Sequence, residues 1–415
     1  MPRRVVITGL GAVTPVGNDM ASTWDSLIAG RSGIGLISLF NTDDLSVKLA
    51  AEVKDFDPAT RIDPKLVKRT DRFTQYALCA TQEAVQDSGL DFDNEDRDRV
   101  GVIVGSGMGG VQTWESQHAQ FIERGPRRVS PLVIPMMIPD MAAGMVSIMY
   151  GLRGPNFCTT SACASGAHGV GESFRHILHG DAEVMIAGGA EAAITRFTVS
   201  AFANMGALSK RNDDPARASR PFDRDRDGFV IAEGCGMCVL EELEHARARG
   251  AKVYCELVGY GATGDGHHIT APDPEGKGAK AVMRSALEEA AFRPEDIDYI
   301  NAHGTSTPLN DATEVKAIVE VFGGHAHKLA INSTKSIVGH GLGSAGAMEF
   351  VTTVKSLEQG KVHATLNFEN PDEGVDVDLD FVPDGPRDLD IRAAVSNSFG
   401  FGGHNTCLCV RKYEG

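Results

Sequence analysis

Apolar residues along this chain gather in short runs, and polar, glycine-bearing loops separate them. Arg4–Gly11, built on Val5-Val6-Ile7, reads as a buried strand at the start of the chain. Ala182–Gly189 and Gly234–Leu240 read the same way, as does Arg392–Phe399. Asp298-Tyr299-Ile300-Asn301 and Ala330-Ile331-Asn332 are apolar starts that run into polar turns. Cys407 and Cys409 alternate along a further strand and share one of its faces. Helical runs are predicted over Ala164–His179 and from about Ser344 to Glu358. Buried strands interleaved with helices predict an α/β chain.

The chemistry gathers where strands end. Asn156–Ser161 is a strand-like run that leads to Cys163, and the Ala164–His179 helix begins at once. A cysteine at that turn faces unpaired backbone N–H groups and the positive end of a helix, which favour a thiolate nucleophile. Ala162, Ala164, Ser165 and Gly166 are small, so the chain can turn sharply, as in a nucleophile elbow. A free cysteine is more often just a small buried hydrophobe, so the downstream residues decide.

His303 and His340 each stand in a glycine-flanked loop after an apolar strand start, and α/β chemistry collects at such ends. The other histidines carry less. His176 and His245 fall on helix faces expected to be solvated. His267 and His268 point apart, and His325 and His327 lack a third metal ligand nearby, so no metal is expected. Ser398–Asn405 surrounds Phe401 with glycines, which lets backbone N–H groups face a site and an aromatic ring swing. No Gly-Lys-Ser/Thr follows, so it is not a phosphate loop of the Walker type.

Composition narrows the classes. A net charge of −16 across 415 residues argues against nucleic acid. No apolar run is long enough to span a membrane, and no signal-peptide pattern opens the chain. The 8 cysteines follow no disulfide spacing, so a cytoplasmic location is expected. Cys235 and Cys238 have redox-motif spacing but lie in an apolar strand, which favours core packing.

Taken together, Thr160–Gly166, Asn301–Thr307, Lys335, Gly339-His340 and Asn397–Gly403 resemble the elongating β-ketoacyl-acyl-carrier-protein synthases, synthase II most of all. The likeness runs the whole length, with Asp225–Val230 and Glu233-Gly234 fitting its middle. It implies a thiolase-like αβαβα fold of five layers from two similar βαβαβ halves, 1–252 with Cys163 and 253–415 with the histidines. It implies a decarboxylative Claisen condensation. Cys163 takes the acyl chain, and malonyl-acyl-carrier protein supplies the enolate. The backbone N–H groups of Cys163 and Phe401 would form the oxyanion hole, with Phe401 also the gate. His303 and His340 would donate to the thioester oxygen, Lys335 would support them, and Glu349 and Glu314 would stand behind.

The same resemblance gives Thr305 and Thr307 to the pantetheine arm, and Met108 and Phe202 to the acyl tunnel, with Val133–Ile138 either joining that tunnel across a dimer interface or serving only as interface core. It implies a homodimer that inserts in no membrane and docks an acidic carrier protein on basic clusters, Lys65, Lys68 and Arg69, and Arg127 and Arg128. No tightly bound cofactor is implied, since substrates arrive on phosphopantetheine. Some members suggest a monovalent cation near Asn301. His404 departs from the usual threonine; it either adds a titratable group beside the gate or is structurally neutral.

Rival readings are weaker. A thiolase needs a second cysteine in the glycine loop, a starter-type synthase an asparagine for His340, and a chain-length factor no nucleophile. A ketosynthase subunit of a polyketide or specialised lipid pathway shares every catalytic residue. An inactive acyl-binding scaffold would not be expected to keep Cys163, His303, His340 and Lys335.

Overall fold

The computed structural model describes residues 3–372, 375 and 378–415. Ten strands form one sheet: β1 (Val5–Val13), β2 (Val100–Gly105), β3 (Asn156–Phe157), β4 (Val184–Glu191), β5 (Gly234–Glu242), β6 (Cys255–Gly264), β7 (Tyr299–Asn301), β8 (Ala330–Asn332), β9 (Ala393–Gly400) and β10 (His404–Lys412). Their order is β8-β7-β9-β10-β6-β1-β5-β4-β2-β3. Counted from its own first strand, each group of five follows the same path, third, second, fourth, fifth, first. Parallel and antiparallel pairings repeat too, and the two groups meet at the antiparallel pair β1 and β6.

Side-chain alternation turns this sheet into layers. Along β5, Cys235, Met237 and Val239 enter one core, while Cys238 and Leu240 enter another. Cys407 and Cys409 of β10 share an outer core, as expected, while Leu408 and Val410 share the central one. Cys235 and Cys238 therefore point to opposite faces, which rules out a redox pair. Both faces of each half are buried, so the strands read as near-continuous apolar runs.

Outer helices such as Arg72–Ser88 and Lys277–Glu289 cover the outer faces. Two helices fill the middle, Ser165–His179 and Ala345–Gln359. Each opens from a 3₁₀ turn, Ala162–Ala164 or Leu342–Ser344, whose first residue has φ of +51°. The helices cross at small residues. A Cβ on Gly166 would lie 2.9 Å from that of Ala347, and one on Gly346 would lie 2.8 Å from that of Ala167. Only glycine allows that approach, and it brings both helix N-termini together.

One histidine reading changes, and another gains a partner. His245 is not a solvated helix residue: Nδ1 lies 2.8 Å from Glu241 and Nε2 2.9 Å from Glu95. His176 Nδ1 is 2.9 Å from Asp181. Asp181 and Glu241 are near in sequence, and only Glu95, 150 residues from His245, is brought in by the fold. The hydrogen bond to Glu241, reinforced by Glu95, raises the His245 pKa from 6.5 to about 9 despite partial burial. A raised folded-state pKa stabilises the fold fully below about pH 6.5, and the gain is lost as pH passes about 9. His245→Gln should therefore unfold more easily than the parent at pH 6, with the gap closing by about pH 10. Thermal melts across that range check this, and a pH-independent gap would contradict it.

Candidate active site

Cys163 sits at the junction that the double layer creates. Ala162 takes the left-handed turn, and Cys163 follows it, just before the helix that starts at Ser165. The strain is thus carried by the residue before the nucleophile. Cys163 is 7% exposed. Burial pushes its thiol up to about 11, while Lys335 and a hydrogen bond from the Phe401 N–H pull it down. Burial outweighs both, so the site favours the thiol over the thiolate expected from the sequence.

A cavity of about 480 Å³ opens in front of the sulfur. Cys163, His303, His340, Phe401, Thr305, Thr307, Met108, Phe202 and Glu314 all line it. Lys335 and Glu349 are not in the wall but buried behind it, each 1% exposed. Val133–Ile138 lines no part of it and forms the short helix Val133–Met137 with one further residue.

The histidine rings stand edge to face, 5.4 Å apart at 86°. Lys335 Nζ forms an ion pair with Glu349, donates to the His303 carbonyl at 2.6 Å and lies 3.3 Å from His303 Nδ1. An ammonium has only donors, so His303 Nδ1 accepts and its proton sits on Nε2. Burial, then Lys335 and His340, hold His303 well below its ordinary range. Burial and Lys335 do the same to His340. Both rings are neutral at pH 7 and can each donate one N–H. The His340 ring also meets Phe229 edge-on at 5.2 Å, and among the described residues nothing hydrogen-bonds its Nδ1.

Glu314 accepts the His303 and Gly304 N–H groups, both at 2.8 Å, and so fixes the first histidine loop. Asp311 accepts the Thr305 N–H at 3.0 Å and the Ser306 N–H at 3.2 Å. Thr305 and Thr307 join their hydroxyls at 2.9 Å.

The glycine loop is the turn of a hairpin. Gly400 pairs with His404, and Phe401-Gly402-Gly403 span the gap. Gly402 and Gly403 have φ of +83° and +75°, which the turn requires. Asp265 ties the turn down, with its N–H on the Gly403 carbonyl at 2.9 Å and Asn405 Nδ2 on its carboxylate at 2.7 Å. His404 stands exposed at the hairpin base, against Gly402. Lys65, Lys68, Arg69, Arg127 and Arg128 are all at least partly exposed.

Sequence reasoning gives no role to Phe229, Asp311, Asp265 or Glu191. Phe229 lies within a recognised motif, and the others carry no local signal.

The family model described as "Beta-ketoacyl synthase, N-terminal domain" matches residues 2–246, and its C-terminal counterpart matches 254–369. The chain belongs to the β-ketoacyl synthase family. Among curated β-ketoacyl synthases, it is 50% identical over 412 residues to 3-oxoacyl-[acyl-carrier-protein] synthase 2 of Synechocystis sp., covering 99% of each chain. It is also 50% identical to the enzyme of that name from Staphylococcus aureus, again over 99% of each. A solved type II PKS acyl-carrier protein in complex with its ketosynthase matches at TM-score 0.92 and 32% identity, over 100% of both chains. The synthase fold expected from sequence is thus the observed one.

Proposed function

We propose that this chain elongates acyl chains by decarboxylative condensation on an acyl carrier protein, as a 3-oxoacyl-[acyl-carrier-protein] synthase 2. The carrying observation is one cavity that joins Cys163, a Phe401 N–H aimed at its sulfur, and two neutral histidines. Cys163 Sγ bonds to the acyl carbonyl carbon, and the pantetheine sulfur leaves with the thiol proton. The Cys163 and Phe401 N–H groups meet the developing oxyanion. The bond between the malonyl carboxylate and Cα then breaks. Carbon dioxide departs, and the His303 and His340 N–H groups hold the charge on the thioester oxygen. The enolate attacks the acyl carbon, the bond from that carbon to Cys163 Sγ breaks, and the expelled thiolate takes a proton from solvent as the product leaves.

Cys163 comes from the 1–252 half and the histidines from 253–415, so neither half holds a complete site. Thr305 and Thr307 suit the polar pantetheine arm, and Met108 and Phe202 the acyl chain. Fatty acid elongation is favoured over polyketide synthesis by the 50% identity to synthase 2, against 32% to the type II PKS ketosynthase.

A carrier protein is acidic, and this chain carries −16. Docking therefore falls to the cluster of Lys65, Lys68 and Arg69 and to Arg127 and Arg128. Lys68→Glu with Arg69→Glu should raise KM for carrier-borne substrates about tenfold or more. Activity on small thioester mimics should stay unchanged, and equal loss on both would remove the docking role.

A homodimer suits the exposed apolar side chains of Ile134 and Phe157, the latter on the edge strand β3. The eight free cysteines suit the cytoplasm, and no helix among the described residues is long and apolar enough to cross a membrane. No tightly bound organic cofactor is needed. A monovalent cation fits near Asn301, where three buried oxygens lack partners among the described residues: Asn301 Oδ1, Glu349 Oε2 and Ser396 Oγ. Asn301 and Ser396 are paired across β7 and β9, and Asn301 Nδ2 reaches the Glu349 carbonyl at 3.4 Å. Bound there, a cation would neutralise these oxygens and brace the Lys335 ion pair.

The reading is tested with malonyl-carrier protein and short, medium and long acyl-carrier proteins. The expected result is 3-oxoacyl product with one carbon dioxide per turnover. Acylation of Cys163 without extension of any chain would reject it.

A further inference from the structure

Glu191, the last residue of β4, is a buried carboxylate that the condensation does not use. Four donors converge on it. Ser106 Oγ lies 3.1 Å and the Met108 N–H 3.2 Å from Oε1. The Gly107 N–H lies 2.7 Å and the Gly343 N–H 3.1 Å from Oε2. Two of those glycines are shaped to it. A Cβ on Gly107 would stand 2.9 Å from Oε2, and one on Gly343 2.6 Å from it.

The repeat explains why a carboxylate sits here. Gly343 is the counterpart of Cys163, since each is the middle residue of a 3₁₀ turn that starts at a φ of +51° and opens a central helix. Glu191 is the counterpart of Gly400, since each ends an eight-residue strand, the fourth of its half. Gly400 lies against the Cys163 N–H: a Cβ there would be 3.1 Å away. The N–H pocket of the nucleophile turn thus recurs in part, since the Gly343 N–H, the counterpart of the Cys163 N–H, meets the Glu191 carboxylate. The Cys163 turn is open to the cavity, and Glu191 fills the space at the other.

This filled space lies between two walls of the cavity. Met108 lines the acyl side, and Leu342, next to Gly343, lines the side of His340. We propose that Glu191 is a positioning residue that fills the space at this second turn and so ties the Met108 wall to the turn behind His340. Chain-length selection and histidine placement then share one anchor. Burial drives the Glu191 pKa up to about 7, while its four donors pull it back down. The inference rests on the proposed condensation.

The test uses the full chain and three variants, Glu191→Gln, Gly107→Ala and the double. Glu191→Gln keeps the side chain's shape but turns an NH₂ group, itself a donor, toward N–H donors. Gly107→Ala pushes the carboxylate aside without changing charge. Acylation and elongation are measured with a short and a long acyl-carrier protein. Loosening Met108 should raise the long-to-short ratio of kcat/KM about tenfold. Each single variant should do so, and the double should add little, because both break one clamp. Malonyl decarboxylation should slow in parallel. A variant that loses both chain lengths alike, or only melting temperature, overturns the role of Glu191 while leaving the condensation intact. Additive effects in the double overturn it too. A parent protein that acylates neither chain overturns the functional reading itself.

Discussion

Cys163→Ala is expected to reduce elongation to background, a loss on the order of 10⁴-fold or more. The cause is chemistry and not fold. Cys163 is a small residue on a cavity wall, so replacing its sulfur leaves the Ala162 turn and the following helix untouched. The melting temperature should therefore stay close to the parent's. What disappears is the atom that carries the acyl chain between two half-reactions. The Phe401 N–H and the histidines remain, so the variant should still bind acyl-carrier protein. Intact-mass measurement should show acyl adduct in the parent and none in the variant. A variant that still elongates would place the nucleophile elsewhere, and the remaining cysteines outside this cavity offer no substitute.

Lys335→Ala is expected to cost both stability and rate. Lys335 and Glu349 form an ion pair in which each side chain is 1% exposed. Removing one partner leaves the other as an uncompensated buried charge, which costs about 3–5 kcal/mol. Glu349 answers in part by taking up a proton, since burial already raises it to about 7. The loss of stability should therefore be smaller below about pH 7 than above it. The rate effect has a separate cause. Lys335 Nζ is the donor that keeps the His303 proton on Nε2. Without it the ring can hold its proton on the wrong nitrogen, and the oxygen loses a donor. A fall of about 10²–10³-fold in malonyl decarboxylation is expected. Thermal melts and carbon dioxide release read the two effects apart. A variant that decarboxylates normally would show that the His303 tautomer is set without Lys335.

Much of this site is legible in the sequence because its parts are local. Cys163, His303 and His340 each stand where an apolar run gives way to small or glycine residues, and each such end faces the cavity. Most strands of the two halves are legible for the same reason, with ends displaced by a residue or two; Val100–Gly105 and Cys255–Gly264 are not among them, and the run before Cys163 is a strand only over Asn156–Phe157. Other features are not local. Glu191 looks like an ordinary residue at the end of a strand until Gly107 and Gly343, distant in sequence, close on it. His245 looks solvated until Glu95 arrives from another segment. The acid strength of Cys163 is misjudged from sequence because the helix terminus is visible there and the depth of the wall is not. The two φ values of +51° at Ala162 and Leu342 make the internal repeat plain, yet neither residue type signals a left-handed turn.

The most direct test loads Cys163 with a labelled acyl chain from its carrier protein, removes excess donor, and then adds malonyl-carrier protein. The account predicts that the label leaves the protein as 3-oxoacyl-carrier product, two carbons longer, with one carbon dioxide released for each label transferred. Label that stays on Cys163 while carbon dioxide is released, or label that leaves as free acid, would contradict it.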